Sequence, residues 1–320
     1  MKIRVKSPAR LHMGIIDLGG EPGRKYGSLG VAINDPPTEV TAARSSENTV
    51  KCHDDCEVTE EEIEEIIEEI VSYLKIDGGA NVTVEHSAPK HVGLGSKTQL
   101  SLSVGTAIAK LYDKEASARE LSEVLGRGKI SSVGTTAFDS GGFTVNGGSQ
   151  GGGPLQQTIF RVEFPEDWRF VVAIPAHEKG VSGEEEKKIF AKISAPPKHA
   201  EEISRIIATR MLPALEEQDI KKYGTSLSEV QVLVGKYFAE YQKGIYRDVK
   251  SESIVNFLLE NGAFGAGQSS WGPTVYGLVD SKEAGSKLKS ATERFMNDND
   301  IAGIIYCTAA NNTGATVNRE

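Results

Sequence analysis

The chain has 320 residues, 36 basic and 45 acidic, for a formal net charge of −9. With 38% hydrophobic and 25% charged residues it reads as a globular protein of about two domains, not a disordered one. No apolar run reaches the roughly 18 residues of a membrane helix, the N-terminal MKIRVKSPARLHMG lacks the apolar stretch of a secretory signal, and three cysteines make no disulfide framework. The expectation is a cytoplasmic protein without membrane contact, and the acidic balance speaks against nucleic-acid binding.

In chain order, residues 2–6 alternate like a strand and lead into 7–30, a polar loop holding Arg10, His12, Asp17, Arg24 and Tyr26 among six glycines. Such a mixture of cations and carboxylate suits a wet polar site, or else a surface hairpin. Residues 57–70 carry eight Glu, with Ile63, Ile66, Ile67 and Ile70 on one helical face and a Thr59–Glu62 capping box. That is a solvated helix packing one isoleucine stripe, with an acidic docking face as the other reading. Residues 81–85 predict a strand and 96–112 a helix. Residues 133–153, rich in Gly, Ser and Thr, predict loops, with a boundary near 150–165 that divides the chain into 1–160 and 161–320. Beyond it, 169–175 predicts a buried strand, followed by helices over 198–217, 225–243 and 251–260. A strand over 274–279, a helix over 281–297 and a strand over 303–309 complete the second half.

Glycine is the compositional anomaly: 34 residues, about one in nine, against a usual share of about 7%. Twenty-one of them fall in the windows 14–30, 93–95, 134–153 and 262–277. The rest of the chain is ordinary scaffold, so these windows point to close backbone approach around a ligand. The strongest is Gly93-Leu94-Gly95-Ser96-Lys97-Thr98-Gln99, which runs straight into a helix. A glycine turn there leaves amides free at the positive end of the helix dipole, and Ser96 and Lys97 add a hydroxyl and a charge for phosphate. An ordinary capped turn is the plainer reading. It is neither a Walker A loop nor a dinucleotide fingerprint. Asp139, in a glycine-flanked turn, fits a functional carboxylate or an Asx-turn. The segment 262–273 is another glycine loop ahead of a strand. Cys52 and Cys56, without a second pair, are weak evidence for a zinc site, and His86, His177 and His199 have no partner pattern.

The order of these loops resembles the GHMP kinase superfamily (galactokinase, homoserine kinase, mevalonate kinase, phosphomevalonate kinase) over nearly the whole chain. Pro8-Ala9-Arg10-Leu11 looks like its first motif, His91 to Ser96 like its phosphate loop, Asp139 like its catalytic region and 262–273 like its third motif. The kinases follow Gly-Leu-Gly-Ser with small residues, where this chain has Lys97, Thr98 and Gln99. With Ala9-Arg10-Leu11-His12, Ile16-Asp17-Leu18-Gly19 and Tyr26-Gly27-Ser28-Leu29-Gly30, the chain is more similar to the archaeal β-ribofuranosylaminobenzene 5′-phosphate synthases of that superfamily. The resemblance implies an α+β fold, with a mixed N-terminal domain and a ferredoxin-like C-terminal domain, and a homodimer. It implies a Mg²⁺-dependent transferase that joins phosphoribosyl pyrophosphate to 4-hydroxybenzoate or 4-aminobenzoate, releasing CO₂ and pyrophosphate in tetrahydromethanopterin biosynthesis. An ATP-dependent small-molecule kinase is the alternative. It further implies catalytic roles for Asp17, His12 and Asp139, and Mg²⁺ on Asp17 and Ser96. Arg10, Arg24, Gly93, Gly95, Ser96, Lys97, Thr98, Gln99, Gly265, Gly267 and Ser269 would bind substrate.

Overall fold

The computed structural model describes residues 1–20, 23–53, 56–150, 155–176, 189, 192–193 and 195–320. The expected Gly-rich segment 151–154, His177 and the Asp54-Asp55 pair lie outside these residues. Strands β1 (Lys2–Asp17) and β2 (Tyr26–Ser45) form one long antiparallel hairpin. β2 serves two neighbours: residues 39–45 pair with β4 (Gly79–His86), and residues 28–31 pair with β5 (Phe143–Asn146). β3 (Thr49–Cys52) runs parallel to β4, and β6 (Thr158–Val162) extends the sheet from β5. The last strand, β11 (Thr316–Arg319), returns across the chain to pair with β1.

Helix α1 (Glu60–Leu74) forms where the isoleucine stripe predicts it; both halves of the Thr59–Glu62 capping box are present, and Ile63, Ile67 and Ile70 are buried. Helix α2 (Ser96–Leu111) is buried along most of its length between the sheet and α1. Helices α3 (Ala118–Val124) and α4 (Val133–Asp139) follow. α4 and β5 occupy the stretch expected to be loop, and β1 continues through residues 7–17, also expected to be loop. In both cases backbone pairing or packing against distant segments overrides the local preference of Gly, Ser and Thr for turns.

In the second half, β7 (Arg169–Pro175), β8 (Gly265–Gln268), β9 (Val275–Val279) and β10 (Gly303–Thr308) form an antiparallel sheet in the order β10-β7-β9-β8, the ferredoxin-like arrangement. Before β8 come α5 (Pro197–Ile206), a π turn (Ile207–Met211), α6 (Leu212–Glu216), α7 (Ile220–Gln242) and α8 (Val249–Glu260). Helix α9 (Lys282–Asp298) joins β9 to β10.

Among the described residues the interior falls into three apolar clusters. One lies under the first sheet with α1 to α3, and one lies between the second sheet and α8 and α9. The largest joins the two halves: Leu11, Met13 and Ile15 of β1 meet Phe170 and Val172 of β7 and Tyr223, Leu227 and Val230 of α7. Its centre is aromatic, with Phe164 edge-on to Trp168 at 5.3 Å and to Tyr223 at 5.5 Å. The far half of the hairpin is thereby held against the second sheet, which brings the phosphate-loop helix to the junction of the two. No helix among the described residues is long and apolar enough to cross a membrane.

Candidate active site

At the start of α2, Gly93 and Gly95 have φ of +91° and +78°, a left-handed conformation that glycine adopts without steric cost. At Gly93 there is also no room: a Cβ would lie 2.2 Å from the Ser269 carbonyl oxygen. Gly95 is the N-cap and provides no side-chain cap; its carbonyl accepts the Thr98 and Gln99 amides at 3.0 and 3.1 Å. Among the described residues, no backbone acceptor takes up the Ser96 or Lys97 amide. Two amides at the positive end of a 16-residue helix are therefore left without backbone acceptors beside the Ser96 hydroxyl and the exposed Lys97 side chain, an arrangement suited to an anion such as a diphosphate.

The loop is braced from behind. The Gly93 carbonyl accepts from Ser269 Oγ at 2.6 Å and from the Arg10 guanidinium, and the Arg10 amide donates to the Leu94 carbonyl at 3.1 Å. Ser269 Oγ also accepts the His12 amide at 2.9 Å, and the Ser270 amide donates to the His12 carbonyl. Arg10, His12 and Ser269 thus join β1, the loop and the turn after β8 into one polar knot. His12 is buried; burial first, and the neighbouring Arg10 charge second, lower its imidazole pKa from 6.5 to about 3. It is neutral near pH 7 and a weak base, which does not suit the expected proton relay.

Several expected site residues are placed elsewhere. Asp17 lies seven residues beyond Arg10 on β1, roughly 20 Å away at strand rise. Its Oδ1 accepts the Gly19 and Gly20 amides at 2.7 and 2.9 Å, closing the hairpin tip. One Mg²⁺, with ligands at about 2.1 Å, cannot be shared by Asp17 and Ser96. Arg24 is committed to the turn after β5, donating to the Gly147 and Gly148 carbonyls at 2.6 and 2.8 Å. Thr98 packs on Gly134, and buried Gln99 donates to the Gly134 carbonyl at 2.8 Å, so both anchor α2 to the start of α4. Asp139 is exposed at the opposite end of α4, against the turn at Gly314. Gly265 and Gly267 are packing glycines: a Cβ on Gly265 would sit 2.3 Å from the Gly224 carbonyl oxygen, and one on Gly267 would meet the Gln231 side chain at 2.3 Å. They let β8 lie close on α7.

The structure adds residues that the sequence reading passed over. Ser96 and Lys97 share a cleft of about 140 Å³ with Lys90, Ser101, Arg127 and the glutamates of α1. Glu62 pairs with Lys90. Burial pushes the Glu62 carboxyl up, but Lys90, the Thr59 amide and the charge of Lys97 together hold it below its ordinary value. Pro89-Lys90-His91, directly before the glycine loop, was the available local signal. Among the described residues no three His, Cys, Asp or Glu side chains gather to hold a metal ion. The donors present fit Mg²⁺ only in its common mode, entering on substrate phosphates with few protein ligands, where Ser96 Oγ is the adjacent hydroxyl.

Comparison with known proteins accords with this layout. The family models for the GHMP kinases N terminal domain and the GHMP kinases C terminal region match residues 61–143 and 211–298. A beta-ribofuranosylphenol 5′-phosphate synthase of Methanothermobacter thermautotrophicus is 33% identical over 98% of both chains. Its namesake from Archaeoglobus fulgidus is 34% identical, covering 88% of this chain and 90% of the relative. Among solved structures, a homoserine kinase from Cytophaga hutchinsonii superposes with a TM-score of 0.72 at 17% identity, over 99% of this chain and 97% of that one. The Methanococcus jannaschii mevalonate kinase gives 0.70 at 16%, over 97% and 98%. These two show a shared fold.

Proposed function

The chain belongs to the β-ribofuranosylphenol 5′-phosphate synthases of the GHMP kinase superfamily, and from that premise we propose that it is a decarboxylating pentosyltransferase acting on phosphoribosyl pyrophosphate and a 4-substituted benzoate. The observation that supports this best is the α2 N-terminus, where two amides without backbone acceptors, Ser96 and Lys97 form a seat for a diphosphate leaving group.

The ring carbon that bears the carboxylate, made nucleophilic by the para hydroxyl or amino group, attacks C1 of the ribose. The C1–O bond breaks and its electron pair leaves on the diphosphate. The bond to the carboxylate then breaks as CO₂ departs, and its electron pair restores the aromatic ring. Attack opposite the α-diphosphate yields the β-linked product. The protein's task is to hold two partners in line and to stabilise charge on the departing diphosphate, and no covalent nucleophile is needed. Lys97 and the helix amides stabilise that charge, and Mg²⁺ bound to the diphosphate beside Ser96 would neutralise more of it. Arg10, held on the Gly93 carbonyl, keeps the loop in shape.

The test is to incubate the protein with phosphoribosyl pyrophosphate, Mg²⁺ and carboxyl-labelled 4-hydroxybenzoate or 4-aminobenzoate. Labelled CO₂ and one equivalent of diphosphate are expected. Folded protein that releases neither, yet phosphorylates a sugar or isoprenoid alcohol with ATP, would be a kinase instead.

A further inference from the structure

The cleft beside the diphosphate seat has a composition of its own. Its middle is apolar: half-buried Ile66 on α1 faces Leu100 on α2, with Leu125 closing the side. Its two ends are ionic. At one end Glu62 pairs with Lys90, with Lys97 close enough to act on the same carboxylate. At the other, Arg127 feels the charge of Glu69. Glu62 and Glu69 are seven residues apart on α1, two turns or roughly 10 Å. Ser101 also lines the cleft, with its side chain fully buried, and its hydroxyl has no hydrogen-bond partner among the described residues. A buried hydroxyl without a partner is costly, so this one, on the cleft wall, points to a ligand that completes it.

Size decides which ligand. The cleft holds about 140 Å³, and an apolar protein cavity of about 150 Å³ takes one benzene ring. A sugar with three phosphate groups does not fit within it, nor does a purine nucleoside. A single aromatic ring with a polar group at each end does. Resting on the decarboxylating-transferase reading above, we propose that this cleft is the acceptor site. The benzoate ring lies between Ile66 and Leu100, its carboxylate end is turned to Lys90 and Lys97, and its para hydroxyl or amino group meets Ser101 near Arg127. The reacting carbon then faces the α2 N-terminus, where the C1–diphosphate bond breaks. The Ser101 hydroxyl both donates and accepts, so it can partner either para group.

The experiment pairs Ser101→Ala, which removes the hydroxyl, with Ile66→Trp, which fills the ring slot. Binding of 4-hydroxybenzoate is read by ligand-observed NMR with Mg²⁺ and inorganic diphosphate present, and melting curves confirm that both variants fold. Ser101→Ala is expected to weaken 4-hydroxybenzoate binding and raise the acceptor KM about two- to tenfold. Ile66→Trp is expected to abolish ring binding. The KM for phosphoribosyl pyrophosphate should stay within twofold in Ser101→Ala. If 4-hydroxybenzoate fails to bind the wild-type protein, or binds Ile66→Trp equally well, the acceptor-site assignment is overturned. A change in the phosphoribosyl pyrophosphate KM alone overturns it too. Because binding is read without turnover, a protein that binds the ring in this cleft but makes no product refutes the reaction while leaving the site assignment standing.

Discussion

The Ser269 hydroxyl donates to the Gly93 carbonyl at 2.6 Å, a contact that joins the turn after β8 to the phosphate loop across 176 residues of sequence. The same oxygen accepts the His12 amide. One small side chain thereby sets the position of the α2 N-terminus relative to the second sheet.

Replacing Ser269 with Ala removes both contacts and leaves the His12 amide buried without its acceptor. The expected cost is about 1–3 kcal/mol of stability, read as a lower denaturant midpoint at unchanged m-value. The KM for phosphoribosyl pyrophosphate should rise as well, because the loop loses its brace. An unchanged midpoint and an unchanged KM would show that Arg10 alone holds the loop.

The two loop glycines should differ in tolerance. Gly93→Ala puts a methyl 2.2 Å from a backbone oxygen, whereas Gly95→Ala puts one 3.2 Å from the flexible Arg10 side chain. Both pay the left-handed backbone strain, so Gly95→Ala should fold with reduced activity while Gly93→Ala loses the loop geometry and most of the turnover. Melting curves and initial rates on the pair would settle the order.

His12 predicts an acid limb in stability. Its pKa is 6.5 when unfolded and about 3 when folded, so between those values the unfolded chain binds the extra proton. Stability therefore falls as pH drops through that window, with a slope approaching about 1.4 kcal/mol per pH unit. Urea midpoints from pH 7 to pH 4 should show this steepness in the wild type and less of it in His12→Asn. The rate profile should show no ionisation of His12 near neutrality.

The proposed Mg²⁺ requirement separates two residues that local reading grouped together. Ser96→Ala should raise the Mg²⁺ concentration needed for half-maximal rate. Asp17→Asn, at the hairpin-tip end of β1 and roughly 20 Å from Arg10 at strand rise, should leave that requirement alone. It should loosen the hairpin tip instead, because a carboxylate accepting two amides at 2.7 and 2.9 Å is lost there. A Mg²⁺ titration of the two variants checks this.

The local pattern of residues was enough to locate much of the scaffold. The isoleucine stripe and capping box place α1, the run RFVVAIP is β7 from end to end, and Gly-Leu-Gly-Ser marks the start of α2. These are short-range signals, in which periodicity, caps and positive-φ glycines act within a turn or two of chain. The same kind of signal misled at residues 7–17, where polar residues and glycines suggested a loop but β2 provides the partners that make a strand.

Glycine density alone could not separate two uses of the same residue. Gly93 and Gly95 shape the tight turn before α2, while Gly265 and Gly267 are small because α7 lies against β8. Nor does the acidic run of α1 reveal that it walls a cleft opposite Lys97 and Ser101. By itself the sequence determined α1, α2, the buried strand β7 and the glycine turn before α2, because each depends on neighbours along the chain. The tertiary structure alone decided which polar residues converge: Ser269 on Gly93, and α1 against the start of α2. Such meetings depend on packing between segments far apart in sequence, which no local pattern encodes.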